Sequence, residues 1–308
     1  MTRFGQVARG GALIIGLIAA PGLGASAEDL PVDLELVLAV DISGSIDPSE
    51  ARLQREGYVA ALRHPRVIEA IKGGMLGRIA LTYVEWAGED NQRTLLDWTV
   101  IGDAASAFAF ADALAEAPLM SGQWTSLSAA IDYAGPRFES NGFKGVRRVI
   151  DISGDGYNNR GRPVEAARDQ AVGAGITING LPIMDDRPNP WGSLPPKDLD
   201  RYFRDRVIGG PGAFIVVAND YAAFAQAILS KLLLEIAGQT PARNLHRPVA
   251  GSQGSSAVRS RSRAGLMNSF SRPAVRSSST PISQRRLRYL DADWRCAISA
   301  STRLPIRQ

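Results

Sequence analysis

The chain has 308 residues, enough for one large folded unit or two small ones, and 45% of them are hydrophobic, as a globular core requires. The formal net charge of +4 hides an asymmetry: residues 239–308 hold thirteen Arg, two Asp and no Lys, so the preceding part is acidic. Cys296 is the sole cysteine and the two histidines, His64 and His246, lie far apart in sequence, which argues against a disulfide framework, a thiolate zinc site and a histidine-based triad.

Residues 1–27 read as a secretory leader. Arg3 and Arg9 give a positive start, 12–20 (ALIIGLIAA) is a short apolar run, and Ala25-Ser26-Ala27 offers a small-residue cleavage site. The run is too short to span ~30 Å of hydrocarbon. No stable membrane insertion is expected, and the mature protein would begin near Glu28 in the periplasm or outside the cell.

From 28 to 238, strand-like and helix-like segments alternate. Residues 34–40 (LELVLAV) form an almost unbroken apolar run, as in a strand covered on both faces. Asp47-Pro48-Ser49-Glu50 then has the form of a capping box, with Pro at the first helical position. A helix over 51–71 is expected, with a break near His64-Pro65. Strands at 78–86 and 93–100 follow, then an alanine-rich helix at 104–117 and a helix at 125–139 disturbed at Gly135-Pro136. Residues 146–153 predict a strand, 163–174 a helix and 176–183 a strand. After a loop rich in Pro and Asp (185–196) come a short helix at 198–207, a strand at 213–218 (AFIVVA) and a closing helix at 221–236. This order implies an α/β fold: a doubly wound, mostly parallel sheet, Rossmann-like, with helices on both faces. Ligands of such sheets bind beyond the carboxyl ends of the strands, where the strand order switches.

Residues 239–308 change character. The stretch 239–283 is dense in Ser, Arg, Gly and Pro and lacks periodicity, so a disordered tail is expected. Its arginines have no interleaved aromatic residues before Phe270, and a nucleic-acid role is not expected.

Three segments fall where the fold rule places chemistry. Asp41-Ile42-Ser43-Gly44-Ser45 follows the first strand, with oxygen side chains at alternate positions. Thr125 lies in a loop before a helix, and Asp155 follows the strand 146–153 in Ser153-Gly154-Asp155-Gly156. Two carboxylates and three hydroxyls are hard donors that suit Mg²⁺, and also Mn²⁺ or Ca²⁺, better than Zn²⁺. In this order and on these elements, the residues resemble the metal-ion-dependent adhesion site of von Willebrand factor A domains, over roughly 33–238. The resemblance implies that Ser43 and Ser45 are direct metal ligands and that Thr125 engages directly in a high-affinity state. It further implies that Asp41 and Asp155 bind directly or through water, and that the metal receives an Asp or Glu of a partner protein. The chain looks closest to secreted bacterial A-like proteins without known function. The loop 185–196 and the basic tail depart from the family's pattern.

A rival reading is a haloacid-dehalogenase-like phosphatase using Asp41 and Asp155, with Lys144 preceding the latter. That chemistry needs an acid two residues after the nucleophile, where this chain has Ser43. No catalytic residues are therefore expected. No phosphate-binding glycine motif follows the first strand. Asp185-Asp186 is a candidate second cation site, set against the ordinary reading of exposed loop acids as solvated. Trp86 and Trp98 end strand-like runs and are expected in the core, whereas Trp124 and Trp191 flank the metal face and are candidates for partner contact.

Overall fold

The computed structural model describes residues 28–190 and 192–239. The expected leader, Trp191 and residues 240–308 lie outside the described residues. In chain order the elements are β1 (Leu30–Val32), β2 (Leu34–Asp41), α1 (Pro48–Leu62), α2 (Pro65–Lys72), β3 (Ile79–Trp86), β4 (Gln92–Ile101) and α3 (Ala104–Glu116). There follow α4 (Leu127–Ala134), β5 (Phe143–Gly145), β6 (Arg148–Gly154), α5 (Val164–Gly173), β7 (Thr177–Pro182), the short α6 (Leu199–Tyr202) and α7 (Phe224–Ile236).

The central sheet has five strands in the order β4-β3-β2-β6-β7. All neighbours are parallel except β3 and β4, the antiparallel pair at one edge. All eight residues of β2 are buried. Leu34, Leu36, Leu38 and Val40 enter one hydrophobic core, while Val37 and Ala39 enter the other, as the two-residue repeat of a strand demands. The first core is closed by α1, α2, α3 and α7, and the second by α4, α5 and the 199–207 segment. This is the expected α/β architecture with helices on both faces.

Local chemistry explains the helix starts. Asp47 Oδ1 accepts from the Ser49 and Glu50 backbone N–H groups, and Glu50 Oε2 accepts from Asp47 N, which completes the capping box. The break at 64–65 is a new start, because His64 Nδ1 accepts from Arg66 N and Pro65 opens α2. The disturbance at Gly135-Pro136 is likewise visible, as α4 gives way to a 3₁₀ turn over Gly135–Phe138. Beyond α6 the backbone widens into a π-turn over Phe203–Val207.

Two details differ from expectation. The short strands β1 and β5 pair in parallel as a separate two-stranded sheet. The apolar run 213–218 is not a continuous strand. It lies beside β7 through isolated bridges, Gly180 to Ile215 and Ile183 to Ala218. Backbone bonds run from Gly180 N to Phe214 O (3.0 Å) and from Met184 N to Ala218 O (2.7 Å). The intervening donor in that series would be residue 182, which is Pro and has no N–H, so the ladder is interrupted there.

Candidate metal-binding site

The strand order reverses at β2, with β3 on one side and β6 on the other. Asp41 ends β2 and Asp155 follows β6 directly. Because β2 and β6 are parallel neighbours, with Val40 opposite Ser153, both carboxylates emerge at the same end of the sheet. A Cβ on Gly154 would stand 2.9 Å from Asp41 Oδ2 and 3.3 Å from the Trp86 ring, so the bare glycine backbone leaves room for that carboxylate.

Asp41 is fully buried. Its Oδ1 accepts from Ser43 N at 2.7 Å, which folds the 41–45 turn back on the strand. Buried Gln54 on α1 donates to Asp41 O at 2.8 Å and fixes the strand end to the helix. Asp41 Oδ2 is buried and has no hydrogen-bond partner. Burial, and next the neighbouring Asp155, raise the Asp41 carboxyl well above its ordinary range. Burial also raises Asp155, opposed by its bond from Ser45. Two desolvated carboxylates therefore repel each other, and among the described residues neither has a salt bridge.

The hydroxyls complete the ring. Ser43 and Ser45 Oγ lie 3.1 Å apart, and Ser45 Oγ donates to Asp155 Oδ1 at 2.7 Å. Thr125 is buried, and a Cβ on Gly156 would lie 3.5 Å from its Oγ1, which places the Asp155-Gly156 turn against it. Gly122 N donates to Ile42 O at 2.7 Å, joining the loop before Thr125 to the 41–45 turn. A Cβ on Gly122 would meet Ala87 and Asn91 at 2.4 Å, so this close approach requires glycine. All five residues singled out in sequence thus bound one small region at the carboxyl end of the sheet.

Several contributors were not anticipated. Asn159 Oδ1 accepts from Thr125 N at 2.9 Å, and its own N–H donates to Thr125 O at 2.8 Å. Asn158 Oδ1 accepts from Ser128 N in the same way, so the segment after Asp155 splints the Thr125 loop. Tyr221 is buried and its hydroxyl donates to Asp155 Oδ2 at 3.4 Å. The paired Asn158-Asn159, one residue beyond Asp155-Gly156, is a readable signal. Tyr221, sixty-six positions from its acceptor, was not.

Trp86 is fully buried and Trp98 is half-buried against the second core, as expected. Trp124 is 53% exposed at φ 64°, a left-handed conformation that is strained for a bulky residue, with the Arg160 guanidinium 3.9 Å from its ring centre. The Asp185-Asp186 idea finds no support: Asp185 pairs with Arg187 at 2.9 Å. Among the described residues no cluster of three or more His, Cys, Asp and Glu could hold a metal. An ion at this end of the sheet therefore depends on the serine and threonine hydroxyls. The residues present fit a hard divalent cation: they offer oxygen only, with a buried carboxylate oxygen left unsatisfied. Among the described residues no helix is long and apolar enough to cross a membrane.

Solved structures similar to this chain include proximal thread matrix protein 1 from the mussel byssus, at 13% identity and a TM-score of 0.48, covering 68% of this chain and 49% of that one. One structure of that protein is described as having a zinc-occupied adhesion-site motif. The hypothetical protein BatB from Bacteroides thetaiotaomicron matches at 22% identity and a TM-score of 0.40, covering 65% of this chain and 98% of that one. A von Willebrand factor type A protein from Catenulispora acidiphila matches at 16% identity and a TM-score of 0.44, covering 67% and 42%. The chain thus spans about half the length of the mussel protein. No curated protein matches it. A family model described as a protein of unknown function, DUF1194, matches residues 31–240, and the chain belongs to that family.

Proposed function

We propose that the chain is a metal-dependent protein-binding module of the adhesion type, and that it works in the periplasm or outside the cell after removal of residues 1–27. Residues 28–238 are its folded binding domain and 239–308 an appended tail. The observation that carries this reading is Asp41 Oδ2, buried without a partner beside Asp155. An unsatisfied buried carboxylate oxygen is costly, and a cation relieves that cost together with the repulsion between the two acids.

Asp41, Ser43, Ser45, Thr125 and Asp155 would hold the ion, Mg²⁺ being the best match to an oxygen-only set. Bound there, it supplies an electrophilic centre that attracts a carboxylate, here an Asp or Glu of a partner protein. Asp41 orients the turn through Ser43 N, Ser45 fixes Asp155, and Asn159 holds the Thr125 loop. Trp124, exposed next to Thr125, offers apolar contact around the carboxylate. Trp191 is proposed for the same role on sequence grounds. A phosphatase reading gains nothing from this geometry, since position 43 is a serine whose N–H is committed to Asp41.

The test is a melting curve of the purified protein with Mg²⁺ or Mn²⁺ against chelator, paired with capture of envelope proteins under both conditions. Stabilisation by metal, lost in Asp155→Ala, and capture that needs metal and Ser43 are expected. Capture that persists in chelator and survives Ser43→Ala refutes the mechanism.

A further inference from the structure

A cleft of about 390 Å³ is lined by Ser45, Thr125, Asp155 and Tyr221 together with residues 185, 187–190 and 194–196. Its lining is of two kinds. One part presents the proposed metal donors. The other includes Pro188, Pro190, Pro195 and Pro196, none of which has a backbone N–H to offer. Leu194 stands on this rim at 69% exposure, and Tyr157 faces the same cleft at 37%.

The wall is anchored. Arg187 donates to Glu50 Oε1 at 2.5 Å and to Asp185 Oδ2 at 2.9 Å, which ties the loop to the first turn of α1. Within the loop, Asn189 N donates to Ser193 O and Ser193 N to Asn189 Oδ1, each at 2.9 Å. Because Arg187 is engaged by two carboxylates and Asp47 also lines the cleft, the lining does not favour a second acid on the ligand. A cleft of this size holds a small ligand or one stretch of extended chain, not a flat protein face.

We infer that the loop residues 187–190 and 194–196 form a specificity wall that receives a bulky apolar side chain adjacent to the partner's acidic residue, in one extended peptide segment. The inference rests on the metal-dependent reading above and adds the identity of the neighbouring residue. The carboxylate turns toward the donor ring, and the apolar side chain covers the proline wall, Leu194 and Tyr157. Burying a leucine-sized side chain there improves affinity by about ten- to a hundred-fold.

The probes are three capped tetrapeptides, Ala-Asp-Leu-Ala, Ala-Asp-Gly-Ala and Ala-Asn-Leu-Ala, titrated into the full chain by NMR with Mg²⁺ and with chelator. With Mg²⁺ the Asp-Leu peptide should bind at least ten-fold tighter than the other two. In Leu194→Asp, at a position 69% exposed, the preference over Asp-Gly should fall to about one while the Mg²⁺-dependent rise in melting temperature remains. Equal binding of Asp-Leu and Asp-Gly with that rise intact overturns the specificity wall alone. A preference for Leu that persists in chelator also overturns it. Absence of any Mg²⁺-dependent rise in the wild-type chain overturns the metal reading, and this inference with it.

Discussion

Replacing Asp41 by Asn should stabilise the metal-free protein while abolishing its response to metal. In the folded chain Asp41 is fully buried, one oxygen is satisfied by Ser43 N, and the other makes no hydrogen bond of ordinary geometry. Whether that acid is held as a desolvated charge or protonated against its ordinary preference, folding bears the cost. Asn keeps the shape and the acceptor for Ser43, and turns the unsatisfied oxygen into a donor beside Asp155. Relieving one unsatisfied buried polar atom is worth about 1–3 kcal/mol. For a domain of this size that is a rise of about 2–12 °C in melting temperature in chelator. Metal at a hundred times its dissociation constant stabilises the wild type by about 2.7 kcal/mol. With saturating Mg²⁺ the ranking should therefore narrow or reverse. Thermal denaturation of both proteins in chelator and in Mg²⁺ decides the matter. Loss of melting temperature in chelator for Asp41→Asn would mean that the carboxylate is a structural anchor, and the case for a cation beside it would fail.

Other perturbations test the surrounding framework. Gly154→Ala places a methyl 2.9 Å from Asp41 Oδ2, so the metal-induced shift in melting temperature should shrink or vanish by the same assay. Lys231 is buried between Asp151 (2.6 Å) and Glu235 (2.5 Å), and Lys231→Met should cost about 3–5 kcal/mol in urea denaturation, because both acids lose their cation. Burial, and next Glu235, push the Asp151 carboxyl up to about 7. Its folded-state value lies above the unfolded one, so the folded state holds the extra proton between about pH 4 and 7. Stability from this group is thus full below pH 4 and lost as pH rises through 7. Urea midpoints in chelator should fall across that window, and Asp151→Asn should flatten the fall.

The parts of the fold legible in sequence were those in which neighbouring residues determine the outcome. The almost unbroken apolar run in β2 announced a strand buried on both faces, and Asp47 and Glu50 announced a capping box that forms with both reciprocal bonds. The segments carrying Asp41, Ser43, Ser45, Thr125 and Asp155 could be placed because all follow or precede recognisable elements. Long-range partnerships were not legible. Glu35 lies in the same apolar run, yet it is buried because Gly145 N and Asn141 Nδ2 donate to it from over a hundred residues away. The run 213–218 looked like a strand by composition, but its pairing depends on the donors of β7, where Pro182 interrupts them.

Trp124 joins these local and distant constraints. Left-handed backbone costs a bulky residue about 1–2 kcal/mol, and glycine would remove that cost. What opposes relaxation is visible: Thr125 N is bonded to Asn159, Ser126 N to Ala87 O, and Gly122 N to Ile42 O. The loop is therefore fixed on both sides of Trp124 by the same contacts that place Thr125 in the donor ring. The indole is held half-exposed beneath Arg160, where the core cannot use it. Trp124→Gly should then leave the fold within about 1 kcal/mol of wild type, since relief of strain offsets the lost cation–π contact of about 0.5–1 kcal/mol. Metal-induced stabilisation should persist, because the Thr125 backbone bonds do not involve the indole. Capture of the partner should weaken. A variant that binds partner as the wild type does, with melting temperature raised by several degrees, would mean that the strain serves no contact and that the docking surface does not include Trp124.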